Sequence, residues 1–353
     1  MQEKSAPGAR RVTVVGTGSW GTVLAILAAR QGLAVLLLAR TEQEAATLSN
    51  AGENSRFMPG YPFPPNLTVT ADPARALEAC EILFMVVPSQ TMRANIRDLK
   101  PHFGNRCPVV VSAAKGLEMG TLSRMTEVLG DELGEGWTAT SRVAALSGPN
   151  LAKEIVAGRP ATTVLASTNI EVAQQVQEYL TGGRFRVYTN PDVVGVELAG
   201  ALKNIIAVAA GMADGMEAGD SAKAALITRG LAEIARLGMA AGASLFTFAG
   251  LAGLGDLIAT CASPLSRNRF LGQEIAKGKT LDDLRATMGG QVAEGVSTTA
   301  AARDLAARHH IEMPITEQLY QILFENKSPL EGLNSLLTRD PTDELLSLGA
   351  PNA

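Results

Sequence analysis

Residues 198–212 read LAGALKNIIAVAAGM, and thirteen of the fifteen are apolar or glycine, so Lys203 and Asn204 stand out. A helix apolar on all sides is a buried one. An unpaired ammonium in a core costs several kcal/mol or gives up its proton, so Lys203 must be either compensated or used. Burial draws a lysine pKa toward neutrality and a nearby anion draws it back. A lysine poised between the two can give a proton and retrieve it. The small neighbours Ala199, Gly200 and Ala207 leave room for a ligand, and Asn204 can orient groups beside it. Histidine is a weaker candidate for proton transfer: His102 sits in a Pro-His-Phe loop, and His309 and His310 are adjacent near an expected helix end.

Other chemically able residues surround further glycines. GLAGLGDLIATC leads to Asp256, which is either an N-cap for LIATC or a pocket carboxylate, with Thr260 four residues on and on the same helix face. In SPLSRNRF, Ser266 has the character of an N-cap, yet Arg267 and Arg269 follow in the first turn. The helix dipole disfavours cations there by about 0.3 to 1 kcal/mol each. An anionic ligand reverses that sign, and a phosphate held by an arginine fork and a helix N-terminus accounts for the arrangement. Glu294 in QVAEG can be read as a turn residue alone. Earlier in the chain, VVPSQ, VVVSAAKGLE and AALSGPN follow apolar runs and supply Pro88 and Ser89, Lys115 and Gly116, and Gly148, Pro149 and Asn150.

These groups need elements to hold them. RVTVV at 11–15 ends at GTGSWG, a helical pattern follows with a glycine stop at Gly32, and AVLLL at 34–38 reads as the next strand, which makes a βαβ unit. Gly16, Gly18 and Gly21 then serve a tight turn, close backbone approach to a pyrophosphate, and packing of helix on strand; the motif predicts a dinucleotide cofactor. Arg40 stands where NAD-selecting sites carry an acid, and a guanidinium there suits a 2′-phosphate, so NADP(H) is favoured while NAD(H) stays open.

Further apolar runs at 82–87, 109–111, 143–146 and 162–165 alternate with helix-length segments, which predicts a parallel sheet with helices on both faces. Ligands bind outside the carboxyl ends of such strands, where Lys115 and the Gly-Pro-Asn turn fall. After Asn190 strand-like runs cease, and alanine, leucine and glycine dominate at helical spacing. The expected fold is α/β plus all-α: a Rossmann-like doubly wound parallel sheet in a dinucleotide-binding domain over 1–190, and a helical substrate-binding domain over 191–353. GENSRFMPGYPFPPN at 52–66 reads as a structured loop or lid.

The formal charge of −4 argues against a nucleic-acid partner. The first eleven residues are polar and no uncharged apolar span reaches 18 residues, so neither a secretory signal nor membrane embedding is expected, and the expected compartment is cytoplasmic. Cys80, Cys107 and Cys261 are odd in number and widely spaced, which fits neither a disulfide framework nor a metal site.

Taken together, GTGSWGT, VVPS, KGLE, SGPN, FRVYTNPD, GALKNIIA, ITRGLAEI, GLGDLIATC, SRNR, EG and MPIT run through nearly the whole chain. The sequence resembles the NAD(P)-dependent glycerol-3-phosphate dehydrogenases of the bacterial soluble type. The resemblance implies reversible reduction of dihydroxyacetone phosphate to sn-glycerol 3-phosphate, which supplies phospholipid synthesis. It implies dinucleotide contacts by Ser19, Trp20, Arg40, Lys115, Ala152, Arg267, Val292 and Glu294. Substrate contacts fall on Lys115, Gly148, Asn150, Lys203, Asp256, Ser266, Arg267 and Asn268, with Lys203 as proton donor and acceptor. The resemblance implies one departure: members of the family commonly carry SGPT or SGPS where Asn150 stands, so an amide replaces a hydroxyl there. A 6-phosphogluconate-dehydrogenase-like reductase of another kind, such as a 3-hydroxy-acid dehydrogenase or ketopantoate reductase, would share the glycine motif and a lysine but has no need of SRNR. A non-catalytic NADP(H) sensor would keep GTGSWG and Arg40 and gain nothing from Lys203. The alanine- and glycine-rich helices could pack against a second copy in a homodimer.

Overall fold

The computed structural model describes residues 10–287 and 293–341. The chain divides into two compact units: one takes the chain to Ala114 and then Met125–Val193, the other takes Lys115–Arg124 and the chain from Val194 onward. The sequence pattern anticipates one cut near residue 190; the excursion Lys115–Arg124 into the helical unit is an addition to it.

The first unit is built on β1 (Arg11–Val15), β2 (Ala34–Leu38), β3 (Leu67–Thr70), β4 (Ile82–Met85), β5 (Val109–Ser112), β6 (Val143–Ser147), β7 (Ala161–Ala166) and β8 (Phe185–Asn190). They form one sheet in the order β3-β2-β1-β4-β5-β6-β7-β8. Its centre is apolar on both faces because helices cover both, and Val14, Leu37, Ile82, Phe84, Val109 and Val111 are fully buried. The two strands that apolar runs fail to announce are the edges, β3 and β8. β8 reads FRVYTN and alternates buried with exposed positions at its start, as a strand with one wet face does.

The expectation of an all-parallel sheet needs one correction, because β6 and β7 are antiparallel. The connection between them contains only the five-residue helix Ala152–Val156. At about 1.5 Å per residue such a helix is far too short to carry the chain back along a strand rising about 3.3 Å per residue. The chain therefore turns at the end of β6 and runs back beside it.

The second unit is organised by the helix Val193–Gly215, whose Leu198, Leu202, Ile205, Ile206 and Val208 lie in its core. This helix is long and apolar enough to cross a membrane by length and composition, yet 78% of its most apolar window is buried inside the protein. It meets the helix Arg267–Ala276 backbone to backbone. A Cβ on Gly211 would lie 2.0 Å from the Arg269 carbonyl oxygen, and one on Gly272 would lie 1.9 Å from that of Val208. Asp214 locks the crossing, accepting from Arg269 Nε at 2.6 Å and from Lys223 Nζ at 2.8 Å. A buried carboxylate caps a further helix: Glu233 accepts from the backbone N–H groups of Ile315 (2.8 Å) and Thr316 (2.9 Å) at the start of Pro314–Phe324. Burial pushes the Glu233 pKa up, and those donors hold it back.

Candidate active site

In the first unit the chain leaves β1 and opens the helix Ser19–Arg30 through Gly16, Thr17 and Gly18. Gly16 has φ +111°, and a Cβ on it would lie 2.3 Å from the Val86 carbonyl oxygen; a Cβ on Gly21 would lie 1.9 Å from that of Gly16. Those two glycines are imposed by the turn and by helix–strand packing. Gly18 differs, since a Cβ there would meet nothing within 4 Å. The helix starts at Gly18 with no side-chain cap, beside open space, which is what an anion-binding N-terminus requires. Trp20, in the first turn, buries an indole N–H that has no partner among the described residues.

Arg40 follows β2 with an exposed side chain that has no hydrogen-bond or ion-pair partner among the described residues. Glu44, four residues on, is occupied: it accepts from the Arg40 backbone N–H at 3.0 Å and from Thr17 Oγ1 at 2.6 Å, so it ties the glycine loop to the helix Glu42–Ala51. Asn54, buried in the proline- and glycine-rich loop, donates to the Thr17 carbonyl (2.7 Å) and to Thr22 Oγ1 (2.8 Å). The loop therefore braces the glycine turn. The sequence offers no signal for these roles of Glu44 and Asn54 beyond their polarity.

Beyond β6, Gly148 takes φ +151°, and a Cβ there would press at 3.0 Å on the Thr163 Cα. Asn150 donates from Nδ2 to Thr163 Oγ1 at 2.9 Å, and Thr163 donates in turn to the Ser147 carbonyl at 3.1 Å. That chain fixes the amide and leaves Asn150 Oδ1 as a buried acceptor without a partner among the described residues. Ala152 opens the short helix that follows. The groups present in this unit suit a bound dinucleotide: an uncapped glycine-flanked helix start, a guanidinium after β2 with no partner among the described residues, and an indole N–H at Trp20 that is likewise unpartnered there.

The second unit assembles the charged centre. Lys203 is 4% exposed, and its Nζ donates to Asp256 Oδ1 at 2.6 Å and to Thr260 Oγ1. Asp256 presents its other oxygen to Lys115 Nζ, also at 2.6 Å. Asp256 opens the helix Asp256–Ala262 but makes no capping bond; its carboxylate bridges two ammonium groups. Thr260, one turn on, donates to the Asp256 backbone carbonyl at 2.6 Å, which leaves its lone pairs for Lys203. An ammonium has three donors, and two of those on Lys203 are used inside the protein. Burial lowers the Lys203 pKa, Asp256 raises it, and the charge of Lys115 lowers it, with a net fall to about 8.

A chain of amides runs alongside. The backbone N–H of Gly295 donates to Asn268 Oδ1 (3.0 Å), Asn268 Nδ2 to Asn204 Oδ1 (2.8 Å), and Asn204 Nδ2 to the Lys115 carbonyl (3.3 Å). Gly295 is required there: a Cβ would lie 2.8 Å from the Asn204 carbonyl oxygen. The EG pair is thus more than a turn, since Glu294 opens the helix Glu294–His309. Val292 lies outside the described residues.

Ser266 caps the helix Arg267–Ala276, accepting from the Arg269 N–H at 3.2 Å. The two arginines that follow diverge. Arg269 is held by Asp214, so the two do not act as one fork. Arg267 has neither a hydrogen bond nor an ion pair among the described residues; although the residue keeps exposed surface, packing around the guanidinium lowers its pKa, and the charge of Glu294 acts in the opposite direction.

Comparison with known proteins agrees with both halves. Family models described as NAD-dependent glycerol-3-phosphate dehydrogenase N-terminus and C-terminus match residues 11–173 and 192–334. A glycerol-3-phosphate dehydrogenase [NAD(P)+] of Dehalococcoides mccartyi is 48% identical over 336 residues, which is 95% of this chain and 92% of that protein. That of Moorella thermoacetica is 47% identical over 95% of this chain and 98% of its own. The solved structure of glycerol-3-phosphate dehydrogenase from Coxiella burnetii superposes with a TM-score of 0.88 at 39% identity, covering 94% of this chain and all of that one. A ketopantoate reductase from Ralstonia eutropha shares the fold alone, at TM-score 0.57 and 14% identity. The chain belongs to the NAD-dependent glycerol-3-phosphate dehydrogenase family and is an NAD(P)-dependent oxidoreductase.

Proposed function

We propose that the protein reduces dihydroxyacetone phosphate to sn-glycerol 3-phosphate, reversibly, with Lys203 as the proton carrier. The observation that carries this reading is the buried Lys203–Asp256–Lys115 centre, in which Lys203 keeps one donor without a partner among the described residues. A bound reduced dinucleotide would supply the hydride. Lys203 Nζ donates a proton to the substrate carbonyl oxygen as that oxygen gains charge, and recovers it in the reverse direction. Asp256 and Thr260 hold the ammonium in place. Two ammonium groups against one carboxylate leave the centre with an excess positive charge, which favours an anionic substrate. Arg267, at a helix N-terminus with free donors, takes the phosphate, and Asn204 and Asn268 fix the backbone between the two groups. Following NADPH absorbance with dihydroxyacetone phosphate, with ketopantoate and with no substrate tests the proposal. Consumption with the first alone is the expected result, and equal or faster consumption with ketopantoate overturns it.

The free guanidinium of Arg40 supports a preference for NADP(H), since it stands where a 2′-phosphate would be met. A charge-assisted contact of this kind is worth about 1.5 to 3 kcal/mol. Arg40→Ala should therefore lower the NADPH/NADH ratio of kcat/KM by about ten-fold or more. An unchanged ratio would show Arg40 to be only a solvated side chain.

A further inference from the structure

Lys115 reaches the centre on the ten-residue excursion Lys115–Arg124, which folds as a small hairpin. Leu117 bridges Arg124, the Glu118 N–H donates to the Ser123 carbonyl at 3.0 Å, and Leu117 and Leu122 are buried in the helical core. Leu122 takes φ +65°, a conformation a bulky residue adopts only where its surroundings hold it. Both ends of the hairpin are fastened to one helix. Asn204 donates to the Lys115 carbonyl at 3.3 Å, and Glu197 accepts from Arg124 Nη1 at 2.7 Å. Glu197 and Asn204 are seven residues apart on Val193–Gly215, two turns along one face, and so separated by about 10 Å. The ion pair is largely buried, with side chains 17% exposed for Arg124 and 7% for Glu197. A pair so buried gives little net stability over an apolar replacement, but its geometry is demanding, which suits it to fixing a register.

We propose that the Arg124–Glu197 pair and the Asn204 amide form a two-point clamp that sets the Lys115 hairpin against the Lys203 helix, which makes Arg124 and Glu197 positioning residues for Lys115. The inference rests on the reading that Lys115 acts in the centre.

The test is a double-mutant cycle on the full-length enzyme with NADPH and dihydroxyacetone phosphate. Glu197→Gln should lower kcat about ten-fold in the wild type and less than about two-fold in a Lys115→Met background, because the clamp has nothing left to position there. The pH profile gives a second readout. Lys203 is faced by Asp256, Thr260 and Cys261 from one helix and by Lys115 from the hairpin, and the Lys115 charge holds its pKa down. Displacing Lys115 should move the alkaline limb of reduction to higher pH, whereas the mere loss of the Glu197 charge would move it lower. Should Glu197→Gln fail to fold, Arg124→Gln takes its place in the same cycle. An equal loss in both backgrounds, or an alkaline limb that moves down, overturns the clamp alone. Full activity of Lys115→Met overturns the reading of Lys115 and the clamp with it.

Discussion

Lys203→Met should lower turnover of dihydroxyacetone phosphate by about 10²- to 10⁴-fold, the range expected when a positioned general acid is removed. Methionine keeps the apolar stem in a site where Lys203 is 4% exposed, and it deletes the charge. Asp256 is not orphaned by the change, because its second oxygen stays with Lys115 at 2.6 Å. NADPH affinity and thermal stability should therefore stay close to those of the wild type. The pH dependence adds a check. With the Lys203 pKa brought down to about 8, the ammonium form that reduction needs is lost as pH rises through 8, while the amine form that oxidation needs is gained over the same interval. The two directions should show opposite limbs there, and Lys203→Met should show neither. A variant that keeps more than about a third of wild-type turnover at saturating substrate differs by less than about 1 kcal/mol in barrier, and Lys203 would then not be the proton carrier.

The parts of the site visible in the sequence are those that break a local rule. A lysine in an apolar helix, two arginines in a first helical turn and three glycines after a strand each conflict with their surroundings, and such conflicts concentrate at functional positions. What stayed hidden depends on partners far along the chain. Arg267 and Arg269 look equivalent in SRNR, and only Asp214, 55 residues before Arg269, separates them. Lys115 reads as a strand-end loop residue, and its partner Asp256 lies 141 residues on. Nothing in KGLE announces that the segment crosses into the helical unit, because Arg124 and Glu197 look like ordinary surface charges until they are paired.

The fold was legible to the same degree and for the same reason. Central strands are continuous apolar runs and were readable. Edge strands β3 and β8 alternate or are short, and the direction of β7 is decided by the length of a five-residue helix, which composition does not reveal. The glycines of the helical unit hide their purpose in the sequence. Gly211 and Gly272 look like helix-weakening residues, yet each is the only side chain that lets two backbones meet at that crossing.

Arg267→Ala should lower kcat/KM for dihydroxyacetone phosphate by about 10²- to 10³-fold, the equivalent of one or two charge-assisted hydrogen bonds to a phosphate. The reason lies in what Arg267 lacks. It opens the helix Arg267–Ala276, where the dipole disfavours a cation, and it has no hydrogen-bond or ion-pair partner among the described residues to offset that cost. Arg269, two residues on, has such a partner in Asp214. Binding energy from a remote phosphate can lower the barrier at the carbonyl as well as KM, so kcat should fall too. Unphosphorylated dihydroxyacetone, expected to turn over slowly in the wild type because it lacks the phosphate, presents nothing for Arg267 to hold, and its kcat/KM should change by less than about three-fold, within about 0.7 kcal/mol. Because the family resemblance also puts Arg267 against the dinucleotide, NADPH affinity is measured alongside by fluorescence titration, and the substrate comparison is made at saturating NADPH. The contrast between the two substrates then isolates the phosphate. Equal losses for both would remove Arg267 from the phosphate site and leave the guanidinium at that helix start without a role.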